Sequence, residues 1–237
     1  MKSIYWILMM VLQLGWLPGM SQKTINDPNA QLRTVGDFTA ISVSSSIDLM
    51  ISQSSSNAVA VSAADVKYRD MITTEVKNGT LYIDFKNKTK EWNAKEMKAY
   101  VSVKTLNKIE ASGACDVKVE GGLKATDLEI VISGASDFKG NVTAQNLRLH
   151  GSGSSDFMIS GSTSNLKVDI SGASDVKGFD LVADYCDAEA SGASDINITV
   201  NKELNVKASG ASDVTYKGAG YVKNANTSGA SDIKKKS

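Results

Sequence analysis

Apolar and polar residues alternate in short runs through the second half of this chain, and a small glycine-bearing motif interrupts the alternation at regular intervals. Ser-Gly-Ala-Ser-Asp or a near copy begins at Ser112, Ser133, Ser152, Ser171, Ser191, Ser209 and Ser228, at spacings of 21, 19, 19, 20, 18 and 19 residues. Five residues before the motif stand Leu128, Leu147, Leu166, Cys186 and Leu204. Three before it stand Ile109, Ile130, Leu149, Val168, Ala188 and Val206, and just after its Asp stand Val117, Phe138, Phe157, Val176, Ile196, Val214 and Ile233. Period-2 alternation on both sides of the motif predicts two short strands. The motif between them, small and glycine-bearing, predicts a bend.

A fixed period of this size means a solenoid, in which each coil buries its apolar side against its neighbours. Each coil reads as strand, bend, strand and a polar return such as Gly140-Asn141-Val142-Thr143-Ala144-Gln145-Asn146. About 19 residues are too few for a helix and two strands, which excludes a leucine-rich horseshoe. The predicted fold is all-β, a single-stranded parallel β-helix with an atypical N-terminal cap. Its coils lie about 4.8 Å apart, so seven of them make a rod on the order of 34 Å long.

Upstream the repeat decays. Val43-Ser44-Ser45-Ser46-Ile47-Asp48-Leu49-Met50-Ile51 can be laid over Ala111-Ser112-Gly113-Ala114-Cys115-Asp116-Val117-Lys118-Val119. Further strand-like runs are 58–62, 80–85 and 99–103, and the charged stretch 86–98 reads as a loop or short helix. The expected organisation is a signal peptide over 1–21, a linker over 22–36, a cap with degenerate coils over 37–105, and regular coils with a basic end over 106–237. The leader rests on Lys2, the apolar run Ile4–Leu17 and small residues Gly19 and Ser21 before Gln22. An uncleaved anchor is the alternative, although the run is short of the about 20 residues that span a bilayer.

The chain has 26 basic and 26 acidic residues. That balance gives no electrostatic footprint for nucleic acid. Cys115 takes a serine's place in the motif and Cys186 a leucine's place in a strand, so the two lie in different columns and are expected to be free thiols.

The sharpest chemical candidates are Asp116, Asp137, Asp156, Asp175, Asp195, Asp213 and Asp232, which stacking would place in one column. Carboxylates about 5 Å apart repel by roughly 3 kcal/mol at an effective dielectric of 20 and by under about 1 in bulk water. Three neutralisers are open. Lys118, Lys139, Lys177 and Lys234 lie two residues after their Asp. Backbone N–H groups of the bend can donate to Asp and Ser. A row of calcium ions, which need six to eight oxygens, is the third. One carboxylate per coil supplies calcium thinly, so these aspartates are only weak metal candidates.

Every Asp has the same repeated surroundings, and nothing separates a general acid from a base. Breaks in the repeat are few. The inward column nearest the motif is read as Ala111, Ile132, His150, Ile170, Ala190 and Ala208, which makes His150 a packed core histidine. Arg148 and Met158 are single departures without an evident partner. No catalytic residue and no cofactor are expected. Trp92, in the charged stretch, is the weak candidate for ligand contact, against packing over the cap core.

Ser-Gly-x-x-Asp at this period, behind such a leader and a Phe38-Thr39-Ala40-Ile41 opening, resembles the putative auto-transporter adhesin, head GIN domain family of Gram-negative envelope proteins. The resemblance runs from about Asp37 to Ile233. It implies a right-handed parallel β-helix, similar in shape to pectin lyases but without their catalytic residues. The expected function is that of an exported, non-enzymatic adhesion or envelope-interaction module in the periplasm, on the outer-membrane surface or secreted. Its expected partner is a glycan or a host or envelope surface. A self-assembling scaffold, with homo-oligomerisation through flat faces, and a polysaccharide-active enzyme are the alternatives.

Overall fold

Alternation of small β-branched and aliphatic residues with polar ones sets the architecture throughout. The computed structural model describes residues 26–86 and 96–236. The N-terminal part contains β1 (Gln31–Arg33), β2 (Ala40–Val43), β3 (Asp48–Gln53), β4 (Ala58–Ser62), α1 (Val66–Arg69), β5 (Ile72–Lys77), β6 (Thr80–Phe85) and β7 (Lys98–Val103). The repeats contain β8 (Lys108–Ala111), β9 (Asp116–Glu120), β10 (Leu123–Ile132), β11 (Asp137–Gly151), β12 (Asp156–Ile170), β13 (Asp175–Ala190), β14 (Asp195–Ala208), β15 (Asp213–Lys217), β16 (Tyr221–Thr227) and β17 (Asp232–Lys235). All the strands join one continuous sheet that winds round the molecule. The predicted leader residues 1–21 and Trp92 lie outside the described residues.

The repeats stack in parallel and in phase. Phe138 pairs with Phe157, Leu147 with Leu166 and Asp156 with Asp175. Residues at one phase therefore form columns, and the inward columns of Leu, Ile, Val and Phe are buried as far as the last coil, where Val222 and Ile233 are only partly buried. Each fully buried Val, Leu, Ile or Phe contributes about 1.5–3 kcal/mol relative to exposure. Phe138 and Phe157 stack on successive coils with ring centroids 6.3 Å apart.

His150 departs from the sequence reading. Gly151, not His150, occupies the column of Ala111, Ile132 and Ile170, since Ile132 pairs with Gly151 and Gly151 with Ile170. His150 stands two residues before Ser152 rather than one, on the outward phase. The glycine has a packing reason: a Cβ at residue 151 would lie 2.9 Å from the Phe157 ring. The largest side chain of the coil takes the space that isoleucine fills elsewhere.

Spatial order departs from chain order at the N-terminal end. β2 pairs in parallel with β8 on one side and with β6 on the other. β3 likewise lies between β9 and β7. The coil that comes first in the chain thus sits second in the stack, beneath the coil made by β6 and β7. Above that coil the direction changes: β5 runs antiparallel to β6, β4 antiparallel to β7, and β1 antiparallel to β4. Antiparallel strands cover the outer edge of the first coil, which otherwise would present unpaired backbone groups. The overlay of 43–51 on 111–119 is a spatial fact, because Val43 pairs with Ala111 and Leu49 with Val117.

Candidate functional site

The repeated bend builds three ladders. The first is backbone. Ala135 N–H donates to Gly113 O at 2.8 Å, Ser154 to Gly134, Ala173 to Gly153, and so on to Ala230, which donates to Gly210 at 2.7 Å. The bend glycines have positive φ, for example 82° at Gly172, and a Cβ there would lie 2.5 Å from Gly153 O. Both conformation and close approach require glycine.

The second ladder is the second serine of the motif. Ser136, Ser155, Ser174, Ser194 and Ser212 are fully buried. Ser174 Oγ accepts from Ser155 N–H at 3.2 Å, Ser194 Oγ from Ser174 N–H at 3.3 Å, and Ser212 Oγ from Ser194 N–H at 3.3 Å. The hydroxyls also donate: Ser155 to Ser152 O at 2.9 Å and Ser194 to Ser191 O at 3.0 Å. Cys115 holds the same column, with Sγ 3.3 Å from Ser112 O. These serines satisfy backbone groups and are closed to solvent, so they form structure rather than a nucleophile array.

The third ladder is the aspartate column. Asp116, Asp137, Asp156, Asp175, Asp195, Asp213 and Asp232 stack in register. Their carboxylates accept the N–H of the next aspartate: Asp137 from Asp156 at 3.1 Å, Asp175 from Asp195 at 3.3 Å, and Asp195 from Asp213 at 3.3 Å. Lysines add to this. Lys177 bonds Asp156 of the preceding coil, not its own Asp175, and that hydrogen bond raises the Lys177 pKa against a smaller opposing effect of desolvation. Lys234 lies 3.0 Å from Asp232 and 3.7 Å from Asp213, and its hydrogen bond holds the Asp232 carboxyl below the usual range. Lys118 turns instead to Glu120 at 3.7 Å. At the cap end Asp48 joins the column, accepting from Asp116 N–H at 3.4 Å, and burial pushes its carboxyl up. Among the described residues no group of three or more His, Cys, Asp or Glu converges as metal ligands would.

Cys115 and Cys186 are free and buried, in separate columns, and burial pushes both thiols up, away from the reactive thiolate. His150 lies between Glu129 and Asp169, each 3.7 Å away, and Lys108 is 3.5 Å from Glu129. That is a surface charge cluster spanning successive coils. Met158 is exposed in an outward column, between Lys139 and Lys177.

Sequence reasoning overlooked the outward aromatics of the repeats. Asp127, Asn146, Asn165, Tyr185, Glu203 and Tyr221 form one column six residues or so before each motif. Asn146 Nδ2 donates to Asp127 at 2.7 Å and Asn165 Nδ2 to Asn146 at 2.8 Å. Beside it Asn205 donates to Asp187 at 2.8 Å and Asn224 to Asn205 at 2.7 Å. The phase of the buried leucine next to it was the available signal: one residue earlier on the same strand must face out. The concavities are shallow by contrast. One of about 390 Å³ is lined by Gln53, Ser54, Gly121, Gly122, Lys124 and Asn141 among others, and one of about 310 Å³ by Ser42, Thr73, Glu75, Lys77, Tyr82 and Asp84 among others.

A β-solenoid with a capped N-terminal end and a repetitive polar exterior is the class that this geometry defines. The family described as putative auto-transporter adhesin, head GIN domain, matches residues 37–220, and the chain belongs to it. Solved structures share the fold. A putative adhesin from Bacteroides fragilis aligns with a TM-score of 0.82 at 23% identity, covering 87% of this chain and 96% of that one. A putative adhesin from Parabacteroides distasonis gives 0.72 at 20%, covering 88% and 96%. A putative lipid binding protein from the same species gives 0.67 at 20%, covering 89% and 98%. No curated protein matches the sequence. Among the described residues no helix is long and apolar enough to cross a membrane.

Proposed function

We propose that the chain is an exported, non-enzymatic adhesion module that engages a glycan or envelope surface through the outer face of its rod. The observation that supports this best is the in-register stacking of outward side chains. Equivalent positions recur on successive coils, so outward side chains line up in long columns that face solvent. Extended ligands can be met at many points at once, and weak contacts then add. The family's description as an adhesin agrees with this reading. The aspartate column belongs to the frame of the bend, where its oxygens serve backbone donors. Lipid binding, for which one structural neighbour is named, calls for an apolar groove. The two concavities here are lined mainly by polar residues.

The test is retention of the labelled protein, lacking residues 1–21, on immobilised mucin and on bacterial envelope preparations. Saturable retention competed by unlabelled protein is expected. Retention no greater than that of an unrelated β-solenoid would overturn the reading. Solution mass by light scattering addresses the scaffold alternative, which requires concentration-dependent assembly without any added surface.

A further inference from the structure

The two most exposed aromatic side chains among the described residues, Tyr221 at 60% and Tyr185 at 46%, share one outward column. Glu203 is the residue between them. The two tyrosines are therefore two coils apart, about 9.6 Å along the rod. The intervening acid is held in place. Its Oε2 accepts from the Tyr221 hydroxyl at 3.1 Å and its Oε1 from Lys223 at 2.9 Å. The ammonium of Lys202 lies 5.3 Å from the Tyr185 ring centroid and is itself fixed by Asp184 at 2.9 Å. That contact covers one side of the ring, and its exposure leaves other ring surface to solvent.

We infer that the Tyr185–Glu203–Tyr221 column is a binding platform for a neutral, extended β-1,4-linked glycan lying along the solenoid axis. A pyranose ring has an apolar C–H face that stacks on an aromatic ring, and a rim of hydroxyls that pair with carboxylate and amide groups. In an extended β-1,4 chain every second ring presents the same face, and that repeat matches two coils of the solenoid. Asn205 and Asn224, in the adjacent column, supply amide groups beside the rings. The charges of the platform are paired locally, Glu203 with Lys223 and Asp184 with Lys202. Asp187, in the adjacent column, adds a negative charge that disfavours an anionic polymer. The strands bearing Tyr185 and Glu203 are paired on both sides, so among the described residues a peptide strand could add only at β16, across the end of the rod and not along the platform. This assignment rests on the surface-binding reading and names its ligand class.

The experiment uses the chain without residues 1–21 and titrates it calorimetrically with cello-, manno- and xylo-oligosaccharides of two to six rings. Hydroxyethyl cellulose in affinity electrophoresis serves as the polymer probe. Binding of at least one series is expected, tightening by about tenfold or more once the oligomer is long enough to span both rings. Tyr185→Ala and Tyr221→Ala each weaken it by about tenfold, whereas Tyr185→Phe retains it within about threefold. Raising salt from about 0.05 to 0.5 M changes the affinity little for a neutral ligand. Thermal melting of each variant verifies that it is folded. The proposal is overturned if none of these glycans binds the wild type, if the double alanine variant binds as well as wild type, or if binding collapses with salt. Retention on mucin or envelope that persists in the double variant also overturns the platform as the adhesive site, while the adhesion reading survives. Glycan binding lost in the alanine variants, with no retention on either surface, supports the platform and rejects adhesion.

Discussion

Gly172 and Gly36 illustrate how much the stacking demands of a single residue. Gly172 has φ of +82° with Gly153 O at 2.5 Å from a would-be Cβ, whereas Gly36 has nothing within 4 Å. A non-glycine residue at left-handed φ costs about 1–2 kcal/mol before any overlap is counted. Gly172→Ala is therefore expected to lose more than about 2 kcal/mol in urea unfolding, and Gly36→Ala to change stability by less than about 0.5. Equal effects would mean that the coils part without penalty. Upstream, Ser45 stands opposite Gly113 with φ of 66°, and a Cβ on Gly113 would meet only Ser45 N at 3.6 Å. The close glycine-on-glycine approach of the regular coils is thus absent at the step between residues 45 and 113. The buried serines make a second residue-scale case. Ser174→Ala leaves Ser155 N–H without its acceptor in an enclosed site. A cost of about 1–3 kcal/mol is expected, and an unchanged urea midpoint would show that another acceptor takes over.

At the scale of the element, the aspartate column and the cap strands differ in what holds them. Backbone N–H groups and lysines already engage the Asp oxygens. The melting midpoint is expected to be the same in EDTA and in millimolar calcium, and an upward shift of several degrees would make the column a metal ladder. In the cap, Tyr100 on β7 donates to Asp27 at 2.8 Å, tying the segment before β1 to the sheet. Burial, then the Asp27 contact, pushes the Tyr100 hydroxyl up to about 12. The unfolded chain ionises this group near pH 10, so the folded state retains a proton that the unfolded state gives up between these values. The stabilisation is full below about pH 10 and is lost as pH rises through about 12. Urea midpoints of wild type and Tyr100→Phe should accordingly converge over that window, while lysine titration, common to both, cancels. A constant difference across the window would contradict the assignment.

Across the whole molecule stability is expected to be graded, since each coil touches only its neighbours. β16 and β17 form the last described coil and are largely exposed, whereas β11 to β13 lie between fully paired neighbours. Native-state hydrogen exchange should open β16 and β17 at a lower free energy than β11 to β13. Uniform protection would instead indicate one cooperative unit. The inverted order at the other end bears on folding. β2 and β3 can be covered on their outer side only after β6 and β7 have returned from later in the chain. Capping is thus a long-range event, with the loop-closure cost that such contacts carry.

Periodicity by itself determined the coil, the bend and the inward columns, because a repeat of near-constant length can satisfy its backbone and bury its apolar phase only by stacking on itself. The family was legible for the same reason, through the motif that the bend imposes. Tertiary structure decided the rest. His150 faces outward on the alternation of its own strand, with Leu147 and Leu149 inward; tertiary structure decided that the inward position 151 is a glycine, because the Phe157 ring across the bend and Ile170 of the next coil fill that space. The first coil of the chain lies second in the stack because parallel pairing accepts any strand of matching phase, near or far in sequence. The aspartates became backbone acceptors, and Tyr185 and Tyr221 came onto one column two coils apart, through a register that only the assembled coils define.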